Sequence, residues 1–536
     1  MKANELTQAI IDIIATTNGI SLDDTLELAA SDLSISSNLR SEIKIFREML
    51  AEYHREEIPL EKLVDHPVSD ALIFFFKNFP LRYIEEHTHL TGALDANFLL
   101  PHVQEELNGS HRSQILQNLQ KIYPQNEPWK NAKELSRAIT LAPNELFDRY
   151  LDLLYLPKII LTSRERYALS AYHLASTTWK NHNVGTLRCK FTLSRASGKA
   201  PNMLPCDLVS SEDVVLGLYD GFLRFKNEHP SFKFILSPSF RKEENFFNAE
   251  SFKNKQEDFL AQVKELLKLL EKYPELSQFL TDVDTVGNER DLYRKEHFNI
   301  FRYGFRKLKF KGFYIRSHHG EVWHTLKKGV QAVDNALNIW HIDTLEHGLS
   351  LGINPNYYFH RMFQRVIVSN HQAQKIDPKS HEGKELQDMD FSQQPEVLQK
   401  LFHGIPLKIA EEQYLVKVKF HMAREVEHYQ HDVLNRVINK GISLVALPSS
   451  NNKLTTCFPD YKDHPFTWWE KKGVGLGIGT DNYVTLDTNF LKELLILLFT
   501  DPQNLKITKL LMVATGENRR PFMSQLLWRI REKWCE

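Results

Sequence analysis

The stretch EEHTHLTGAL, residues 85–94, sets two histidines one residue apart, directly after the apolar pair Tyr83-Ile84. On a strand, residues two apart point to the same side. Two imidazoles on one side, with Gly92 opening the chain just beyond, could hold a divalent metal. With 23 histidines in the chain, they could equally be two surface residues. Further candidate donors and acids recur downstream: GNE at 287–289, HHGE at 318–321, EHG at 346–348 and TDN at 480–482. Each alone is weak. Together, three histidines and a carboxylate suit a divalent ion that keeps one position open for water.

The elements that must position these residues begin at Leu81. Short apolar, β-branched or aromatic runs alternate from there with long helical stretches or loops. The runs are 82–87, 186–193, 232–239, 279–287, 312–319, 341–348, 442–450 and 474–481. Eight such repeats predict an α/β fold, an eight-stranded parallel (β/α)8 barrel of the TIM type. In that fold the active site collects at the C-terminal ends of the strands, where the candidate residues fall. Residues 1–78 carry apolar residues at helical spacing and predict a helical N-terminal extension; residues 79–536 would form the barrel. The roughly ninety residues 350–441, between the sixth and seventh runs, are far longer than an ordinary connection. They are expected to form an insertion acting as a lid or an assembly element.

The ordered set HxHLxG, VGNE, HxGE, EHG, PxS and TDN resembles the adenosine deaminase family of metal-dependent barrels, over roughly residues 80–500. That family has a GHG-like step where this chain has EHG. The resemblance implies one Zn2+ per chain, held by His87, His89, His318 and Asp481. His319 falls where the family usually has alanine and is taken as a neighbour. By the same resemblance Glu321 is the proton donor to the purine, and His347 orients and deprotonates the water. Gly287 presents its backbone N–H to the base. The implied activity is hydrolytic deamination of an adenine nucleoside or nucleotide, of the adenosine, deoxyadenosine, AMP or dAMP type, to the inosine product and ammonia. Nucleobase deaminases acting on DNA or RNA carry HxE with PCxxC instead. Pro205-Cys206 begins such a step, but no second cysteine follows.

Two departures bear on specificity. The family usually reads HxHLDG, and its Asp contacts the ribose end of the substrate; here the residue is Thr91. A carboxylate repels a 5′-phosphate, whereas a hydroxyl can donate to one. Asn482 stands where Asp is usual, and an amide can donate to an acceptor nitrogen of adenine without a shifted pKa. Arg195, Lys199, Arg241 and Lys242 leave the second and third strands and are expected on the same rim as phosphate contacts.

Bulk properties fit a small-molecule enzyme. The 67 basic and 68 acidic residues nearly cancel, so charge points to neither nucleic acid nor a membrane surface. Four cysteines without paired spacing suit a reducing compartment, and the N-terminus lacks a signal-peptide pattern. A cytoplasmic protein is expected, with a homo-oligomer or partner proteins as possible company. The extension and insertion also resemble deaminase components of bacterial antiviral systems of the RADAR and Kongming types. The alternative is a non-catalytic barrel that serves as a scaffold.

Overall fold

The computed structural model describes residues 3–17, 19–123, 129–143, 145, 147–193, 204–455 and 460–516. Eight strands form one parallel sheet: β1 Tyr83–His89, β2 Val184–Thr192, β3 Lys233–Arg241, β4 Asp282–Val286, β5 Tyr314–His319, β6 Thr344–His347, β7 Ser443–Ala446 and β8 Gly475–Ile478. They are ordered in sequence from β1 to β8. A parallel bridge between Thr88 and Asp481 closes β8 onto β1. The chain is therefore a (β/α)8 barrel, and all eight runs expected from the sequence are strands.

The alternation of the strands explains the packing. Leu187 and Cys189 of β2, Phe234 and Leu236 of β3, and Ile315 of β5 are buried against the surrounding helices. The interior is different. Barrel interiors are usually filled with Val, Ile and Leu; here side chains reach across the lumen as ions. Arg188 on β2 pairs with Asp282 on β4 and with Glu86 on β1. Arg316 on β5 pairs with Glu346 on β6 and Glu86. Pairs between non-adjacent strands can form only through the lumen. Glu86 reaches it because β1 carries one extra residue against β2: Glu85 pairs with Leu187, but Thr88 pairs with Cys189. The bulge lets Glu86 and His87, adjacent in sequence, both meet interior partners.

Before β1 stand the helices Ala3–Thr17, Leu22–Ser31, Ser37–His54, Leu60–Val64 and Pro67–Lys77. The second is capped by Ser21, which accepts from the Asp24 N–H at 3.1 Å. Leu6, Ile10, Leu26, Ile43, Phe46 and Phe76 join the same apolar core as the barrel helices. Ser21 bridges Lys506, and the His54 ring lies 2.9 Å from the Phe499 carbonyl. No helix among the described residues is long and apolar enough to cross a membrane.

Between β6 and β7 lie four helices, Pro355–His371, His381–Asp388, Pro395–His403 and the 31-residue Ile409–Asn439. They pack back on the barrel. Gln430 donates to the carbonyls of Ser350 and Ile353 at 2.7 and 2.9 Å. Glu385 accepts from the Leu326 N–H and the Tyr358 hydroxyl at 2.7 and 2.6 Å, and so ties this segment to the loop after β5.

Burial pushes the Glu385 carboxyl up to about 8, and its second oxygen is buried without a hydrogen-bond partner among the described residues. The folded pKa lies above the unfolded value of about 4.3. The folded state thus holds the proton more tightly, and this group's contribution falls as pH rises from about 4.3 towards 8. Glu385→Gln should remove that decline. Thermal melts at about pH 5 and pH 8.5 should show a smaller drop in Tm for the variant; parallel curves would count against it.

Candidate metal centre and cleft

At the C-terminal ends of the strands three imidazoles converge. His89 Nε2 lies 3.2 Å from His87 Nε2 and 3.3 Å from His318 Nε2. Asp481 Oδ1 stands 3.6 Å from His87 Nε2 and 3.5 Å from His89 Nε2. A tetrahedral ion with Zn–N bonds of about 2.0–2.1 Å spaces its donors roughly 3.3–3.4 Å apart. The nitrogens already have that spacing.

The far sides of two of these rings are held. His87 Nδ1 lies 2.7 Å from Glu346 Oε2. His318 Nδ1 lies 3.0 Å from Asp284 Oδ2, an ion-pair distance rather than an aligned hydrogen bond. A carboxylate next to Nδ1 favours the proton there and turns the Nε2 lone pair inward. Lone pairs facing one another at this range repel unless a cation lies between them, so the residues fit a divalent metal. Burial drives His89 down to about 3 and His318 well below its ordinary value, which suits neutral donors. Burial and Lys190 also lower His87, but Glu346 and Asp481 outweigh them and leave it raised.

Backbone strain falls at this rim. His347 and Asp481 both sit in the left-handed region, with φ of 65° and 63°, a conformation that costs a non-glycine residue free energy and is retained mainly at functional sites. Asp481 is pinned there. Its N–H donates to the His87 carbonyl at 2.9 Å and its carbonyl accepts from the His89 N–H at 2.8 Å. The Ser450 hydroxyl donates to Asp481 Oδ2 at 2.6 Å.

Glu321, His347 and Asp481 form a second converging group. His347 Nδ1 lies 3.0 Å from Asn451 Oδ1, which assigns the proton to Nδ1. Its Nε2 has no hydrogen-bond partner among the described residues and lies 3.8 Å from Glu321 Oε2. Burial lowers His347 to about 4. Glu321 is 4 % exposed. Burial pushes its carboxyl well above the ordinary range, and Asp481 and Glu289 add to the rise. The loop carrying it is clamped by Glu289, which accepts from the N–H groups of Gly320, Glu321 and Val322 at 3.3, 2.7 and 3.0 Å. A carboxyl raised by burial and an imidazole lowered by burial therefore lie side by side at this rim.

Beside His89 opens a cavity of about 160 Å3 lined by Thr91, Lys158, Thr192 and Arg241. Arg241 also pairs with Glu243 at 2.5 Å and covers the Phe246 ring. Gly287 has φ of 108°, and a Cβ there would meet the Glu243 carboxylate at 2.2–2.5 Å. Asn482 is fully buried, and its amide donates to the Tyr150 hydroxyl and, at 2.7 Å, to Asp481 Oδ1. Its side chain fills the space over Gly92. Lys242 is buried, donates to the His318 carbonyl and lies 3.7 Å from Glu289, so it braces the rim. His319 points away from the donors: Ser317 Oγ lies 2.5 Å from its Nδ1, and Phe298 and Trp340 flank its ring. Arg195 and Lys199 lie outside the described residues.

Several residues at the rim carry no sequence signal of their own. Tyr150, whose hydroxyl lies 3.4 Å from Asp481 Oδ1, and Lys158 come from helices of the long β1–β2 connection. Glu346 was visible only as the residue before His347. Asp284 stands three residues before Gly287 on the same strand run and has no motif of its own.

No family model matches the chain, and no curated protein is similar to it in sequence. Solved structures are. An amidohydrolase from Burkholderia ambifaria with bound Zn is 14% identical over 87% of this chain and 92% of its own, with a TM-score of 0.50. The two share a fold. An adenine deaminase from Arthrobacter aurescens is 12% identical over 85% of this chain and 100% of its own, with a TM-score of 0.49. An N6-methyl-AMP deaminase from Arabidopsis thaliana is 12% identical over 86% and 97%, with a TM-score of 0.48.

Proposed function

We propose that the chain is a zinc-dependent hydrolytic deaminase of the adenosine deaminase family, acting on an adenine nucleoside or nucleotide. The observation that carries this is the pairing of two groups at one rim: His87, His89, His318 and Asp481 at metal-ligand spacing, beside a buried acid and a buried base. A bound zinc ion lowers the pKa of water to about 7 and so makes a nucleophile available at neutral pH. The residues do the rest. His347 Nε2, unprotonated and turned to the cleft, takes the proton of the attacking water. Glu321, held as the neutral acid, gives its proton to the ring nitrogen beside the attacked carbon, which lets the ring accept charge. The water oxygen stays on carbon; His347 returns the proton it took to the amine, the C–N bond breaks and ammonia leaves, and the proton remaining on the new hydroxyl passes back to Glu321.

The 5′ end of the substrate is assigned to the Thr91, Lys158 and Arg241 side of the cleft, because its lining holds three cations, Lys158, Lys190 and Arg241, and the hydroxyls of Thr91 and Thr192 against one carboxylate, Asp207. A 5′-monophosphate such as AMP or dAMP should be turned over at least as well as the free nucleoside. A hydrogen bond to a charged group is worth roughly 1.5–3 kcal/mol, about ten- to a hundredfold in binding. Thr91→Asp should therefore shift the ratio of kcat/KM for AMP over adenosine towards adenosine by about that factor. Ammonia release from adenosine, deoxyadenosine, AMP and dAMP by both proteins checks this. An unchanged ratio would take the specificity away from Thr91, and no release from any adenine compound would leave the scaffold alternative.

A further inference from the structure

The most unusual side chain in the barrel is a lysine. Lys190, on β2, is 0% exposed. Its ammonium lies against Asp284 Oδ2 and 2.9 Å from Glu346 Oε1. These are the same two carboxylates whose other contacts hold His318 and His87, the first through Asp284 Oδ2 and the second through Glu346 Oε2. One buried cation thus joins two supports, Asp284 on β4 and Glu346 on β6, of candidate metal ligands on β5 and β1. Arg316 completes the arrangement with Nε 2.5 Å from Glu346 Oε1. Both cations meet Oε1, while Oε2 faces His87.

We propose that Lys190 is a positioning residue for the metal centre. It clamps Asp284 and Glu346 so that His318 and His87 present Nε2 at a fixed spacing and in a fixed tautomer. The inference rests on the metal centre proposed above. Two features favour this over a filling role. A fully buried lysine is rare unless paired, and this one is paired twice. Moreover, the buried Glu346 carboxylate meets both Lys190 and Arg316 on the oxygen opposite the one that faces His87, so the two cations fix its orientation toward that ring. Within the lumen network Lys190, Arg188 and Arg316 face Glu86, Asp282, Asp284 and Glu346. Three cations against four carboxylates leave one negative charge below the site where a divalent cation would sit, which favours its binding.

The test is zinc affinity in the full-length protein, measured by competition with a chromophoric chelator, for Lys190→Met, Glu346→Gln, the double variant and Lys190→Arg. Loss of a partner that orients a metal ligand typically weakens binding 10–100-fold, and that is expected for each of the first two. The double variant should bind about as weakly as the worse single one, because both break one clamp. Lys190→Arg, whose fork can still span two carboxylates, should recover most of the affinity. The visible spectrum of the cobalt-loaded protein should shift in Lys190→Met and return in Lys190→Arg, which a general loss of stability would not produce. If Lys190→Met does not fold, Glu346→Gln and Lys190→Arg carry the same comparison. Unchanged zinc affinity with a raised KM would overturn the proposal and make Lys190 a substrate contact. A wild type that binds no zinc at all would instead sink the metal centre itself.

Discussion

His87→Ala and Asp481→Ala should each abolish zinc retention and ammonia release together. His87 is one of three nitrogens held 3.2–3.3 Å apart in series. Its removal opens the donor set and leaves Glu346 Oε2 buried without the ring it faces, at a cost of about 1–3 kcal/mol for the unpaired group. Asp481 supplies the one carboxylate of the set and, through its backbone, joins β8 to β1. The alanine side chain keeps those backbone bonds, so a folded protein is expected. Metal analysis after gel filtration, run beside an ammonia assay, reads both properties. Zinc at about one per chain in either variant, or full turnover in a metal-free preparation, would remove the chemistry proposed for this rim.

Glu321→Gln should separate binding from turnover. Its carboxyl is not among the four proposed ligands, and burial together with Asp481 and Glu289 pushes it well above the ordinary carboxylate range. Glutamine has nearly the same shape and remains neutral, so the clamp that Glu289 makes on the loop backbone should survive. It cannot give up a proton. General acid catalysis is worth roughly 10²- to 10⁴-fold, and the variant should lose at least that factor in kcat while holding zinc as the wild type does. Retention of more than about a tenth of the rate would mean that another group supplies the proton. Tyr150 is then the next to replace, since its hydroxyl lies beside Asp481.

Where sequence and structure agree, the physical reason is local. Strands such as β4 and β7 are short and rich in apolar or β-branched residues, and each is followed by a helix or a loop, so their number and the parallel barrel could be counted along the chain. The residues His87, His89, His318, Glu321, His347 and Asp481 stand at the ends of strands or just beyond, and strand ends are visible where apolar runs stop. Loop cations are another matter. Arg241 lines the cleft, but Lys242, the next residue, turns inside to the His318 carbonyl. Their order in the chain does not say which one faces a ligand.

What the sequence determined by itself is therefore the eight-strand frame and the candidate donors that this frame brings to one rim. Three matters were decided only by the tertiary structure. The single extra residue in β1 admits Glu86 to the lumen beside His87, whereas simple alternation would send neighbours to opposite faces. Closure of the barrel links Lys190, Asp284, Arg316 and Glu346, spread over more than 150 residues, in one chain of ion pairs. The long connection after β1 lays Tyr150 and Lys158 at the mouth of the site. Each of these depends on non-local pairing. Local pattern fixes which face of an element a residue occupies; only closure fixes what it meets there.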